Sequence, residues 1–82
     1  MNLSEFCNRV YNNYNLYGTT ECTVDNYKLE VEYTDANEEH WRCYEITLTD
    51  TDYNSVIFQG HVDTDNKALL FKLIEACYSL MK

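Results

Sequence analysis

The chain has 82 residues, of which 45% are hydrophobic and 15% aromatic, so it can build one small core and has no room for a second domain. Its 14 acidic and 6 basic side chains give a net charge of -8, which argues against direct binding to nucleic acid or an anionic membrane, because phosphates attract basic surfaces. No run approaches the ~20 apolar residues of a membrane span, and the first residues lack a signal-peptide pattern. We therefore expect one cytoplasmic domain over residues 1–82.

The first predicted element is a helix over residues 3–17. Its apolar side chains recur every three or four positions, as a helix with one buried stripe requires. Asn2 or Ser4 can accept hydrogen bonds from the free amides at its start. Gly18 can adopt the backbone conformation that ends it.

The middle of the chain has a period of two, which predicts strands with one buried face and one wet face. Apolar and polar residues alternate over residues 27–33 and 44–48, and Val56, Phe58 and Val62 repeat the apolar spacing in a third run. Within the third run, Gly60 indicates a bulge or a close contact.

The segments between these runs are rich in turn-forming residues. Residues 35–39 and 49–54 fit hairpin connections. Residues 21–24 are out of phase with the strand that follows them, which is explained either by an additional short strand with a two-residue turn at 25–26 or by a bulge. An antiparallel meander of three or four strands follows from this pattern.

The last predicted element is a helix whose buried stripe runs from Leu70 to Met81. Asp63 or Asp65 can cap its start and complement its dipole. The predicted fold class is therefore α+β, in the order helix, three- or four-stranded antiparallel sheet, helix. We expect both helices on one face of the sheet.

The segment TDTDYN at residues 49–54 begins like a calcium-binding loop. Asp50, Asp52 and Asn54 have the first, third and fifth spacing of an EF-hand. A complete loop would require glycine at position 55 and glutamate at position 61, where the chain has Ser55 and His61. A hairpin turn held by local side-chain hydrogen bonds is the stronger interpretation.

Other chemical motifs are missing from the sequence. The four cysteines, Cys7, Cys22, Cys43 and Cys77, have no metal-binding or redox spacing, and we expect reduced, mostly buried thiols, although a scaffold with two disulfides stays open. With only His40 and His61 beside Cys43, the ligand pattern is too sparse to predict a metal site. No nucleophile motif or phosphate-binding loop is found, so we expect no enzyme and no cofactor.

Charge is distributed unevenly along the chain. Residues 21–65 hold twelve acidic residues against Lys28 and Arg42, a net charge of -10, whereas the two flanks together have a net charge of +2. Such a field can steer a basic protein towards the sheet and its turns. The acidic candidates for partner binding are Glu30, Glu32, Glu38, Glu39, Asp50 and Asp52.

Aromatic residues are interleaved with these acids. Tyr27, Tyr33 and Tyr44 lie at predicted core positions. Trp41 is out of phase with the strand after it, and Tyr53 falls in a predicted turn, so we expect both to be exposed. Tryptophan and tyrosine are frequent hot-spot residues of interfaces, and these two complete the predicted partner-binding set.

Two resemblances bear on function. The element order resembles the double-stranded RNA-binding domain, but residues 63–68 read DTDNKA where that family has lysines, so RNA binding is not implied. The opening MNLSEF, the acidic meander and the following helix resemble the small acidic anti-CRISPR proteins of phages infecting low-GC Gram-positive bacteria. That resemblance implies a phage or mobile-element inhibitor that imitates DNA phosphates and occupies the basic cleft of a CRISPR effector nuclease or similar host enzyme.

An alternative function stays open. The chain can be a non-catalytic adaptor or protein-interaction domain whose acidity serves only solubility. Both a monomer and a homodimer are consistent with the sequence.

Overall fold

The structure, a computed structural model, describes residues 2–12, 19–34, 36, 38–39 and 41–81. These residues form the predicted α+β fold, with two helices flanking a four-stranded antiparallel sheet in the chain. The elements are α1 (Leu3–Asn12), β1 (Thr19–Val24), β2 (Tyr27–Thr34), β3 (Cys43–Asp50), β4 (Ser55–Asp63) and α2 (Lys67–Leu80). None of the described helices is both long enough and apolar enough to cross a membrane.

The start of α1 is capped as predicted. The Asn2 side-chain oxygen accepts a hydrogen bond from the Glu5 amide at 2.9 Å, which satisfies one of the amides that a helix leaves without a partner. The predicted continuation over residues 13–17, and Gly18 as its end, lie outside the described residues.

The sheet is a simple meander with the strand order β1-β2-β3-β4. Val24 pairs with Tyr27, so a two-residue turn at Asp25 and Asn26 joins β1 to β2. Asp25 has a φ of 53°, a conformation that aspartate tolerates better than most residues. The open choice for residues 21–24 is thereby resolved in favour of a fourth strand.

The hairpin between β3 and β4 confirms the turn interpretation of TDTDYN. One Asp50 carboxylate oxygen accepts hydrogen bonds from the Asp52 amide and from the Asn26 side chain, both at 3.0 Å. Asn54 has a φ of 50° and ends the turn. Because Asn26 lies in the first hairpin, Asp50 ties the two turns at this end of the sheet together.

A bulge in β4 corrects the predicted alternation. Phe58 pairs with Leu48 but Val56 pairs with Thr49, so Ile57 is an additional residue. This residue shifts the phase of the strand. Val56, predicted to face the core, is 55% exposed as a result.

One hydrophobic cluster forms the core. It combines side chains of both helices with one face of the sheet, which is compatible with both helices packing on that face. Gly60 makes the close contact that its position suggested, since a Cβ there would lie 3.3 Å from the Phe58 ring. The fully buried members include Phe6, Leu29, Ile46, Leu48, Leu70 and Ile74.

The N-cap of α2 differs from the prediction. Asn66 accepts a hydrogen bond from the Leu69 amide at 3.2 Å, so Asn66 caps the helix rather than Asp63 or Asp65. Asp63 is still the last residue of β4, and its carbonyl accepts a hydrogen bond from the Asn66 amide. Asp63 therefore takes part in the turn through its backbone carbonyl, and Asn66, the residue next to the helix, provides the cap.

Candidate protein-binding surface

Four glutamates stand on the sheet face opposite the core. Glu21 pairs with Glu30 across β1 and β2, and Glu32 pairs with Glu45 across β2 and β3. Directly paired residues of antiparallel strands point to the same face. We call the surface formed by Glu21, Glu30, Glu32 and Glu45 the acidic face.

Only half of the acidic face has a nearby cation in the described part of the chain. The Lys28 ammonium lies 3.4 Å from a Glu21 oxygen and 3.8 Å from a Glu30 oxygen, and exposed pairs of this kind contribute little to stability. Among the described residues, neither Glu32 nor Glu45 forms a salt bridge. Like charges directly opposite one another destabilise a sheet, so this pair is an unfavourable feature of the isolated protein.

Apart from Lys28 and Asp63, the remaining side chains of this face are uncharged and mostly polar. The sheet holds carboxylates about 5 Å apart between strands and about 7 Å apart along one strand. The face therefore presents a flat array of negative charge among hydroxyl and amide groups. Its neutral members include Thr19, Thr23, Thr47, Thr49, Gln59 and His61.

The structure divides the predicted partner-binding residues among three places. Glu30 and Glu32 belong to the acidic face. The other two groups lie at opposite ends of β3, whose eight residues span roughly 25 Å. The connection between β2 and β3 carries Glu38, Glu39 and Trp41, and the end of β3 with its turn carries Asp50, Asp52 and Tyr53.

Both aromatic candidates are exposed, as predicted. Trp41 is 61% exposed and Tyr53 is 82% exposed. The Arg42 guanidinium lies 5.7 Å from the centre of the Trp41 ring, a cation–π arrangement that orients the indole. Aromatic side chains thus stand at both ends of the sheet.

The tyrosines assigned to the core are in the core. Tyr33 and Tyr44 are buried, and their rings make an edge-on contact with centres 6.0 Å apart. Tyr27 is half-buried and packs against the cluster. These tyrosines are structural.

Glu21 and Glu45 are site residues that the sequence pattern did not single out. Glu45 occupies the polar position between Tyr44 and Ile46, so the alternation of β3 could have placed it on the wet face. Glu21 could not be placed, because residues 21–24 had no settled register. Their partners become clear only once the strands are paired.

The structure offers no metal centre among the residues it describes. No group of three or more potential ligands from histidine, cysteine, aspartate and glutamate is close enough to hold an ion. The Asp50 oxygen that an EF-hand would use is bonded to the Asp52 amide and Asn26 instead. His40, a weighed metal ligand, lies outside the described residues.

The thiols are free and mostly buried, as predicted. Burial raises the pKa of Cys7 and of Cys77. Burial also raises the pKa of Cys43, with a further contribution from the negative charges of Glu45 and Asp63. A raised pKa favours the protonated thiol, which is a weaker nucleophile than the thiolate.

The fourth thiol is part of a polar contact inside the fold. Cys22 is half-buried, and its sulfur lies 3.2 Å from the Tyr78 hydroxyl. Burial, followed by this hydrogen bond, raises the pKa of Tyr78 well above its usual range. The contact joins β1 to α2 and has a structural role.

No protein-family model, curated protein or solved structure matches this chain. The arrangement of charge and exposed aromatic residues on this fold therefore carries the functional argument.

Proposed function

We propose that the protein is a small inhibitor of phage or mobile-element type. It binds the basic nucleic-acid-binding cleft of a host DNA-processing enzyme, a CRISPR effector nuclease or similar, and excludes DNA by imitating its phosphates. The observation that carries this proposal is the Glu32–Glu45 pair on the acidic face. Its repulsion is a cost in the free protein, and a lysine or arginine of a partner would convert that cost into attraction.

Recognition would begin at long range. Residues 21–65 have a net charge of -10, and a field of one sign speeds the encounter with an oppositely charged cleft. At contact, Glu30, Glu32 and Glu45 would accept charge-assisted hydrogen bonds from cationic side chains that otherwise hold phosphates. Such an inhibitor acts by occupancy and needs neither catalysis nor a cofactor.

The two ends of the sheet would add apolar contacts. Trp41 at one end and Tyr53 at the other are exposed and are residue types that bury well in interfaces. Glu38 and Glu39 are exposed beside Trp41, and Asp52 is exposed beside Tyr53. A partner that covered the whole acidic face would meet both ends.

An adaptor domain is the second candidate, and the exposure of Trp41 and Tyr53 favours it. In that case, the aromatic side chains would bind a partner and the acids would only keep the protein in solution. Binding would then be insensitive to salt and would be lost in Trp41→Ala or Tyr53→Ala.

A matched pull-down tests the proposed inhibitor. The bait variant Glu30→Gln/Glu32→Gln/Glu45→Gln removes three charges from the acidic face. The control Glu5→Gln/Asp65→Asn/Glu75→Gln removes three exposed charges elsewhere. Each immobilised protein is incubated with a bacterial lysate, bound proteins are eluted with high salt, and the eluate is identified by mass spectrometry.

The expected result is a basic nucleic-acid enzyme captured by the natural sequence and by the control but not by the face variant. Added DNA should compete with the bait for that enzyme. Equal capture by the face variant, or a captured partner that DNA does not displace, would refute phosphate imitation.

A further inference from the structure

The outer edge of β4 has no further strand beside it in the described part of the chain. Among those residues, β4 pairs only with β3, and no charged residue occurs from Tyr53 to Val62. Val56 is 55% exposed and Ile57 is 45% exposed. Natural edge strands are usually protected by charge or covered by another element, so this edge is suited to association.

Helix α2 carries a second apolar stripe beside its buried one. Leu69, Leu73 and Leu80 are spaced four and seven positions apart and lie on one flank of the helix. Leu69 is 42% exposed and Leu80 is 55% exposed, while Leu73 is half-buried against the core. A helix of a monomer would normally present polar side chains on such a flank.

This stripe points away from α1 and towards the β4 side of the sheet. The opposite flank of α2 meets α1, since the Lys67 ammonium lies 5.2 Å from the Tyr11 ring centre and the Tyr78 ring contacts Phe6. Helix α1 contacts β1, whereas α2 contacts β3 and β4 and reaches β1 only through side chains such as Tyr78. The flank with Leu69 and Leu80 therefore borders the β4 edge.

The helix also runs back along β4. A short turn over residues 64–66 separates the two elements, and Met81 lines a cleft with Val24. Val24 lies at the sheet end where β4 begins, because the register links it through Tyr27 and Asp50 to Ser55. The carboxyl-terminal part of the stripe thus reaches the end of the sheet at which β4 begins.

We propose that this surface, which we call the β4–α2 edge, is a homodimer interface. In the dimer β4 pairs antiparallel with β4 of a second copy, and the α2 stripes of the two copies pack together. The result is a continuous eight-stranded sheet. The surface is formed by the β4 edge with Val56 and Ile57 and by Leu69, Leu73 and Leu80 of α2. Val56 pairs with Thr49 and so lies on the sheet face opposite the core.

The distribution of charge favours a second copy of this chain as the partner at the β4–α2 edge. A two-fold interface brings the same surface of both copies together, and two chains of net charge -8 can approach closely only where charge is missing. The other edge strand, β1, carries Glu21, and the acidic face repels itself. In an antiparallel pair the two Asp63 carboxylates lie at opposite ends, roughly 27 Å apart.

The two-fold axis also accounts for the length of the α2 stripe. An axis perpendicular to the sheet makes the two helices antiparallel, so Leu69 of one copy lies towards Leu80 of the other. The same axis puts both acidic faces on one side of the assembly. The dimer does not depend on the proposed inhibitor function, although it would double the surface available to a basic partner.

Sedimentation velocity over a concentration series tests the dimer. The natural sequence should approach twice the 9.7 kDa chain mass. Ile57→Lys should raise the dimer Kd at least about tenfold, which corresponds to about 1.4 kcal/mol. The matched control Thr23→Lys makes the same charge change at an exposed position of the other edge strand and should alter the Kd less than about threefold.

A second pair of variants separates the helix from the strand. Leu80→Lys should weaken the dimer as Ile57→Lys does, whereas Ser79→Lys, its exposed neighbour, should not. Far-UV circular dichroism confirms that each variant is folded. Raising the salt concentration should strengthen the dimer, because it screens the repulsion of two acidic chains.

Three results would overturn the homodimer. The first is a monomer at concentrations up to about 1 mM, where an association of only about 4.1 kcal/mol would still be visible. The second is an equal effect of Ile57→Lys and Thr23→Lys. The third is that the natural sequence stays monomeric but captures a different protein, and that only Ile57→Lys abolishes this capture. The β4–α2 edge would then bind a strand of that other protein.

Discussion

The acidic face and the β4–α2 edge belong to the same four-stranded sheet but have opposite character. The face presents four glutamates, Asp63 and one lysine, whereas the strand segment from Ser55 to Val62 has no charged residue. Salt should weaken any contact made by the first surface and strengthen self-association through the second. Charge is therefore distributed unevenly between the two surfaces of this small protein, and separate substitutions can test each surface.

The largest expected effect is the loss of stability on substitution in the buried apolar stripe of α2, compared with its exposed apolar stripe. Leu70 is fully buried, so Leu70→Ala should lower the free energy of unfolding by about 2–5 kcal/mol. Leu80→Ala removes a side chain that is 55% exposed and should cost under about 1 kcal/mol in the monomer while weakening the dimer. Urea unfolding at low protein concentration measures both. Equal losses would mean that Leu80 belongs to the monomer core.

The pH dependence of stability distinguishes the core from both surfaces. Burial raises the pKa of Cys77 above the usual thiol value of 9.0, so the folded state keeps a proton that the unfolded state releases. Stability from this thiol is complete below pH 9.0 and is lost as the pH rises towards the folded pKa. Cys77→Val should make the decline in unfolding free energy above that pH shallower. Ser79→Ala, an exposed control, should leave the slope unchanged.

The turn that borders the acidic face should depend on Asp50 more than on Asp52. Asp50→Ala removes the acceptor shared by the Asp52 amide and Asn26 and should cost about 1–3 kcal/mol. Asp52→Ala changes an exposed side chain and should lie within about 0.5 kcal/mol of the natural sequence. Thermal unfolding checks this order. If Asp52→Ala cost more, the hydrogen bonds of Asp50 would not be what holds the hairpin.

The smallest predicted effect is a gain in stability. Glu45→Gln relieves the repulsion with Glu32 and should raise the free energy of unfolding by about 0.2–1 kcal/mol at low salt. The gain should shrink at high salt, where the repulsion is already screened. Glu75→Gln, an exposed change on α2, is the control for net charge. A loss of stability in Glu45→Gln would show that the pair is not repulsive.

Most of the fold could be predicted because its signals are periodic. The alternation over residues 27–33 and 44–48 gave the correct buried set on β2 and β3, and the stripe from Leu70 to Met81 gave the correct helix. Ile57 could not be identified as the bulged residue, since the bulge becomes visible only when β4 is paired with β3. The exposure of Val56 follows from that bulge.

The α2 cap and the candidate site were less predictable. The predicted caps are Asp63 and Asp65, whereas Asn66 caps the helix, because the cap must adjoin the first turn of the helix. Glu21 joins Glu30 only through strand pairing, which residue types alone do not reveal. Exposure of Trp41 and Tyr53 was predictable, since both fall outside the alternation of the strands.

The most direct test of the central claim is the salt dependence of binding to the captured partner. Isothermal titration of the natural sequence at about 50 and about 200 mM salt should show an affinity that falls at least about tenfold. The Glu30→Gln/Glu32→Gln/Glu45→Gln variant should bind more weakly and lose most of that salt dependence. An affinity that stays unchanged between the two salt concentrations would contradict recognition through the acidic face.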